Sequence, residues 1–336
     1  MHTRDIIVIG GSAGSGAVLK RLLNSLPPDL PASVFITTHV PAQGSLLTEM
    51  LKAASALPVH TAIDGMPTER GHVYLPVPDR HMLLIDGTIR LGHGPRENMV
   101  RPAIDPLFRS AAFSYGPRAV GVILTGYLND GAAGLKAIKR CGGLAVVQHP
   151  MDAEASQMPR SALEAVDTDH VVIADDLPEL LSNIVRERAP ERHPPPRDIE
   201  LEIRIAAGVR VGDEVFRSLA EPSPLTCPEC HGVLSEVKGE GPLRYRCQIG
   251  HAMTAEVAFA EQQKEVDQAL HIALRMMEER LNLVDRMARE AEEQGRSAVA
   301  ELYGARAEEY RGYADTLRQA ALLSLRTIHE LEEEDA

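Results

Sequence analysis

The chain has 336 residues, 44% apolar and 25% charged, a globular composition with more length than one compact core usually holds. Its formal net charge of -13 argues against nucleic acid as a main partner, and no run approaches the roughly 18 apolar residues of a membrane helix. The charge is uneven: residues 251–336 hold 19 Asp and Glu against 10 Lys and Arg.

Taken in chain order, residues 1–188 alternate strand and helix signals. Short β-branched runs occur at Ile6–Ile9, Val34–Thr38, Val120–Leu124, Leu144–Gln148 and Val171–Ala174. Helical patterns fall between them, near Ala17–Leu26, Ser45–Ala54, Pro106–Phe113, Ala132–Arg140 and Leu177–Val185. Such alternation predicts βαβ units around a buried sheet: an α/β fold, doubly wound and mostly parallel, in three layers. One hairpin interrupts it, "MLLIDGTIRL", with Asp86-Gly87 as its turn. Proline-rich "APERHPPP" opens a linker expected over 189–222. A small zinc-ribbon-like module is expected over 223–255, and an acidic helical hairpin over 256–336. In that tail Leu270, Leu274, Met277, Leu281, Val284 and Ala288 form a heptad stripe, Gly295 breaks the helix, and a second helix runs from about Ser297 to Glu332. A core-facing seam is the simplest reading of the stripe; the tail is also a candidate surface for homodimers or partners.

The first helix opens after "IVIGGSAGSGAVLKRLL". A dinucleotide fingerprint starting at Gly14 and Gly16 would need glycine where Leu19 stands, and one starting at Gly10 fails at Ser12. A P-loop fails because Gly16 is followed by Ala17. What does fit is G-x-S-x-G, Gly10 to Gly14, between a strand and a helix, which lifts Ser12 on a sharp turn in front of a helix N-terminus. Alone the motif is often only a turn. A nucleophilic serine needs a base and an orienting carboxylate. His39 follows the second strand in "FITTHVP", and Asp130 follows another in "VILTGYLNDGAAGLKAI". A strand-end core histidine and a helix cap are their ordinary alternatives. In a parallel sheet, however, all three residues fall on one edge, where sites form.

The chain order Ser, His, Asp departs from the Ser, acid, His order of α/β-hydrolases. It resembles instead the catalytic domain of the chemotaxis protein-glutamate methylesterase (CheB-type) family. The resemblance lies in "GGSAG", "THVP", "GHVYLPVPDRHM", "RPAIDPLFRSAA", "VGVILTGYLNDGAAGLKAIK" and "QMPRSALE", in order over roughly residues 3–187. It implies Ser12 as nucleophile, His39 as general base and Asp130 as its partner, with no cofactor for catalysis. The substrates implied are glutamate γ-methyl esters on methylated chemoreceptor-like proteins, in the cytoplasm, and related enzymes also deamidate glutamine. Backbone N–H groups near Ala13 and Tyr127 are the expected oxyanion donors. Family members commonly carry methionine where Tyr127 stands, and many carry a receiver domain ahead of the first strand, which is not expected here. Arg101 in "MVRPAID" is a candidate substrate contact by resemblance, with a structural role equally available; His81 and Cys141 read as structural.

Four cysteines are present, and three gather in "CPECHGVLSEVKGEGPLRYRCQIGH". Cys227, Cys230, Cys247 and His251 make a Cys3His set suited to a structural Zn2+, with His231 as an alternative fourth ligand. With no secretory signal evident, metal ligation fits better than a disulfide framework. The competing reading of the whole chain is a non-catalytic signalling scaffold that binds partners through the zinc and helical modules. A nicotinamide-dependent oxidoreductase is disfavoured by the glycine spacing.

Overall fold

The structure, a computed structural model, describes residues 2–39, 46–239 and 241–334. Val40 and Pro41 of the THVP motif, Ser45 and Glu240 lie outside the described residues. Two compact units emerge, 1–258 and 259–336.

In the first unit the chain runs β1 (Ile6–Gly11), α1 (Ser15–Ser25), β2 (Ser33–Thr38), α2 (Leu46–Ala54), β3 (Val59–Thr61) and β4 (Val73–Leu75). The hairpin follows as β5 (His81–Ile85) and β6 (Thr88–Gly92), with Asp86 and Gly87 both at positive φ, the requirement of the tight turn read from the sequence. Then come α3 (Ile104–Tyr115), β7 (Ala119–Ile123), α4 (Ala132–Arg140), β8 (Leu144–Gln148), α5 (Gln157–Ala165), β9 (His170–Val172) and α6 (Leu177–Ile184).

Seven strands form one sheet in the order β3-β4-β2-β1-β7-β8-β9, and every neighbouring pair is parallel. The period of two divides each central strand between two cores. Ile6 and Val8 join one apolar cluster with Leu107 and Phe108 of α3 and Leu135 and Ile138 of α4. Ile7 and Ile9 join another with Leu19 and Leu22 of α1 and Leu181 of α6. Helices thus cover both faces, the doubly wound arrangement. From β1 the chain winds first toward β2 and later toward β7, so the topological switch point lies at the carboxyl ends of β1 and β7.

The stretch expected as a linker is structured. It carries α7 (Arg197–Ala206) and α8 (Asp213–Leu219). Ile199 and Ile203 of α7 belong to the same core as α3, and Gly92 and Gly94 let its end come so near that a Cβ at either would lie 2.3 Å from a carbonyl oxygen of Ala206 or Ile205. A four-stranded antiparallel ribbon follows: β10 (Ala220–Thr226), β11 (Val233–Val237), β12 (Arg244–Cys247) and β13 (Ala252–Thr254). Its own small core contains Cys227, Leu234, Cys247, Met253 and Val257.

Two long helices close the chain, α9 (Ala255–Glu293) and α10 (Ser297–Glu334). Gly295 connects them at φ 71°, where a side chain is disfavoured. The heptad residues from Leu270 to Ala288 are the half-buried side of α9. Within the second unit, Arg318 pairs with Glu278 and Arg280 stacks over the Tyr310 ring. Among the described residues no helix is long and apolar enough to cross a membrane.

Candidate active site

Ser12 sits on the turn from β1 to α1. Gly14 takes φ 75°, and a Cβ there would collide with the side chain of Glu154, so both conformation and space demand glycine. The Ser12 N–H donates to the Thr125 carbonyl beyond β7 (2.9 Å), and its carbonyl accepts from the Ser15 hydroxyl (2.6 Å), which fixes the turn. Gly10 has another purpose: a Cβ there would lie 2.3 Å from Ile104 Cγ2. Its absence lets the start of α3 descend onto the sheet edge.

That approach matters for Asp130. The Ile104 N–H donates to Asp130 Oδ2 (2.7 Å), the Asp105 N–H lies 3.3 Å from Oδ1, and the Asn98 side-chain amide donates to Oδ1 (2.9 Å). The first turn of a helix, with its positive dipole end, therefore cradles a carboxylate that is 2% exposed. Burial alone would push the Asp130 pKa up, but the hydrogen bonds and charge of His39, with those from Ile104 and Asn98, hold it below the usual carboxylate value.

His39 follows β2 and completes the line. Its Nδ1 lies 3.0 Å from Ser12 Oγ and its Nε2 lies 2.8 Å from Asp130 Oδ2. An ionised carboxylate only accepts, so the proton belongs on Nε2 and Nδ1 offers its lone pair to the serine. Three residues from the ends of β1, β2 and β7 thus meet at the switch point.

The N–H groups of Ala13 and Tyr127 find no acceptor among the described residues. The Tyr127 side chain is 61% exposed. Arg101 is engaged by its own neighbours: its guanidinium donates to Asp79 Oδ1 (2.6 Å from one terminal nitrogen) and to the Gly94 carbonyl (2.6 Å), a brace between loops. His81 is fully buried, with Nε2 3.0 Å from the Pro95 carbonyl oxygen, and burial lowers its pKa. Burial pushes the Cys141 thiol up to about 11, which makes it unreactive at neutral pH.

Sequence reasoning missed three supports of this site. Asp105 accepts from the N–H groups of Gly131 (3.0 Å) and Gly134 (2.6 Å), and Asn98 Nδ2 serves it as well as Asp130. Burial and the neighbouring Asp130 charge push Asp105 up to about 7. Asn129, just before Asp130, receives a hydrogen bond from the Thr254 hydroxyl (2.6 Å).

In the ribbon the four expected ligands converge: one donor atom each from Cys227, Cys230, Cys247 and His251 lies within 4.8 Å of the others. His251 Nδ1 is 3.8 Å from Cys227 Sγ and 3.6 Å from Cys247 Sγ, and Cys230 Sγ is 3.6 Å from Cys247 Sγ. Donors about 2.3 Å from a common centre would stand about 3.7 Å apart in a tetrahedron. The cluster can hold a metal ion. His231 is not part of it. Glu229 accepts at His251 Nε2 (2.9 Å), the outer carboxylate that orients a ligating imidazole.

A parallel α/β sheet whose switch point aligns a hydroxyl, an imidazole and a buried carboxylate defines a hydrolase-type site. The chain belongs to the CheB methylesterase family, which matches residues 7–181. It is 38% identical over 184 residues to protein-glutamate methylesterase/protein-glutamine glutaminase 2 of Anaeromyxobacter dehalogenans, covering 54% of each chain. It is 40% identical over 184 residues to the corresponding enzyme 1 of Xanthomonas euvesicatoria, covering 53% of this chain and 51% of that one. The chain thus spans about half the length of these two relatives. The crystal structure of the Thermotoga maritima CheB methylesterase catalytic domain superposes with a TM-score of 0.52 at 32% identity, covering 54% of this chain and 98% of that one.

Proposed function

We propose that the protein hydrolyses methyl esters of glutamate γ-carboxyls on chemoreceptor-like proteins. The observation that carries this reading is the continuous hydrogen-bonded line from Ser12 Oγ through His39 to Asp130 in a chain of the CheB methylesterase family. Ser12 attacks the ester carbonyl and passes its proton to His39 Nδ1, while Asp130 steadies the imidazolium through Nε2. The N–H groups of Ala13 and Tyr127, free of other acceptors among the described residues, receive the oxyanion. Each such donor lowers the barrier by ~3 kcal/mol. His39 returns the proton to the departing methanol, and water, activated by the same nitrogen, releases the free carboxylate and Ser12.

The relatives' names join methylesterase to glutaminase. A γ-carboxamide presents the same carbonyl with ammonia as leaving group, and we extend the proposal to it. For the ribbon we propose a structural Zn2+ on Cys227, Cys230, Cys247 and His251. Four protein donors leave no open position for catalysis. Unpaired cysteines serving as ligands suit a reducing cytoplasm. The intact relay disfavours the scaffold reading.

The deciding experiment combines methanol release from methylated receptor preparations with labelling by a fluorophosphonate. Labelling at Ser12, and loss of both signals in Ser12→Ala with an unchanged circular dichroism spectrum, is expected. Near wild-type methanol release by Ser12→Ala ends the proposal.

A further inference from the structure

The last strand of the metal ribbon is joined to the floor of the candidate active site. His251, the final member of the Cys3His cluster, leads directly into β13. The Ala252 carbonyl accepts from the Asn98 N–H (2.8 Å), and the Ala252 N–H donates to the Arg96 carbonyl (3.3 Å). Two residues on, the Thr254 N–H donates to Asn98 Oδ1 (3.2 Å) and the Thr254 hydroxyl donates to Asn129 Oδ1 (2.6 Å). Asn129 Nδ2 in turn donates to Glu256 (2.6 Å). Five residues after the last ligand, both neighbours of Asp130 in this network have been engaged.

The orientation of the Asn98 amide follows from these contacts. With Oδ1 occupied by Thr254, Nδ2 must face Asp130 and Asp105. If the Thr254 contact were lost, the amide could turn and aim its oxygen at the carboxylates, and two acceptors would face each other in a buried place. Thr254 is 0% exposed, Asn129 2% and Asn98 7%, so bulk water cannot readily substitute. A second brace reaches the same loop from the other side of the cluster. Arg246, adjacent to ligand Cys247, is wholly buried and donates to the Gly250 carbonyl (2.8 Å), to Glu202 (2.9 Å) and to Glu97 (3.3 Å), the residue before Asn98.

We propose that the ribbon is a clamp on the carboxylate of the relay. Thr254 is a positioning residue that sets the Asn98 amide and Asn129, and through them Asp130. The Cys3His cluster, by fixing β13, makes turnover depend on a bound metal ion. The inference rests on the esterase reading above, and gives the chain a regulatory input built into the same compact unit as the site.

The test uses the full chain loaded with zinc, stripped with a chelator, and reloaded. It follows kcat and KM for methanol release together with the downfield proton resonance of the His39 Nε2–H held by Asp130, a signal that needs no turnover. Thr254→Val removes the hydroxyl on Asn129 while its backbone N–H still holds Asn98, and should lose roughly 10-fold in kcat. Stripped wild type, which loosens both contacts, should lose roughly 10- to 100-fold. In both, KM stays nearly unchanged and the resonance should move or broaden. Thr254→Ser and reloading should restore both. Glu256→Ala, at an exposed position, frees Asn129 without removing a buried group, and should give a smaller fall with the same shift of resonance. Wild-type kcat and an unmoved resonance in Thr254→Val and Glu256→Ala, or full activity in stripped protein, overturn the clamp. A resonance that responds as described in a chain that releases no methanol would leave the clamp standing and remove the esterase reading.

Discussion

Asp105 and Asp130 share a donor: Asn98 Nδ2 lies 3.1 Å from Oδ2 of the first and 2.9 Å from Oδ1 of the second. Two buried carboxylates this close cannot both ionise cheaply. Asp130, held by His39 and by the α3 N-terminus, keeps the charge, and Asp105 is pushed up to about 7.

A stability prediction follows for Asp105. Below about pH 4 the group is protonated folded or unfolded, and it contributes no pH dependence. Between there and about pH 7 the folded chain holds a proton that the unfolded chain has released, so this group lowers stability as pH rises. Above about 7 the penalty is constant. Asp105→Asn, which keeps an oxygen for Gly131 and Gly134, should therefore gain on wild type as pH rises, by up to about 4 kcal/mol at pH 8. Urea unfolding of both proteins at pH 5 and pH 8 measures it. A difference that does not grow with pH would show that Asp105 is not the proton-holding partner.

Asp130→Asn should keep the fold at a cost of about 1–3 kcal/mol, because its amide nitrogen would face the Ile104 N–H, and should lower kcat by roughly 10⁴-fold with KM little changed. The replacement amide would donate to His39 Nε2, driving the ring proton onto Nδ1, where it faces Ser12 Oγ and blocks proton acceptance. Steady-state methanol release from the purified variant provides the measurement.

Gly126→Ala addresses the placement of the nucleophile. A Cβ at Gly126 would lie 2.8 Å from Met158 Cε and 2.9 Å from Ser12 Cβ. The methionine end can swing away. Ser12 cannot, because its N–H is tied to Thr125. The displacement then falls on Ser12, and kcat should fall roughly 100-fold, with stability lowered by about 1–3 kcal/mol. Thermal unfolding alongside fluorophosphonate labelling rates separates the two effects.

Ser12 and His39 could be read from the sequence because each stands directly after an apolar strand, and Asp130 because it lies in the glycine-rich loop between β7 and α4. β8 and α4 matched their predicted spans residue for residue, since their apolar runs have clear ends. β3 and β4 were invisible: three residues are too few to show a period. The α7 stretch was lost for another reason. Ile199, Leu201, Ile203 and Ile205 alternate as in a strand, and Glu202 between them points inward to Arg244 and Arg246, a pattern that masks the helix. Asn98 and Thr254 stand 156 positions apart and carry no local pattern. Only the fold brings them together under Asp130. The Cys3His set was legible because thiols separated by two residues are chemically distinctive, and the fold brings the four side chains together.

The last prediction concerns the charges buried beneath the ribbon. Arg109, Arg246 and the nearly buried Arg244 surround Glu97 and Glu202, with both carboxylates and the first two guanidinium groups at most 2% exposed. Burial alone would raise the carboxyl pKa values, but the arginines hold Glu97 below the usual value and Glu202 well below it. Such a cluster need not outweigh an apolar core of equal volume, yet removing one member strands the rest in a dry place. Arg246→Met should therefore cost about 3–5 kcal/mol. Because the Arg246 backbone adjoins Cys247, metal content should be measured on the same sample. A variant with the metal content of wild type that unfolds within about 1 kcal/mol of it in urea would show that Arg109 and Arg244 suffice for both acids. A loss of stability confined to the ribbon, seen as hydrogen exchange in β12 and β13 while β1 and β7 stay protected, would place the cluster's contribution at the ribbon's seat rather than in the sheet.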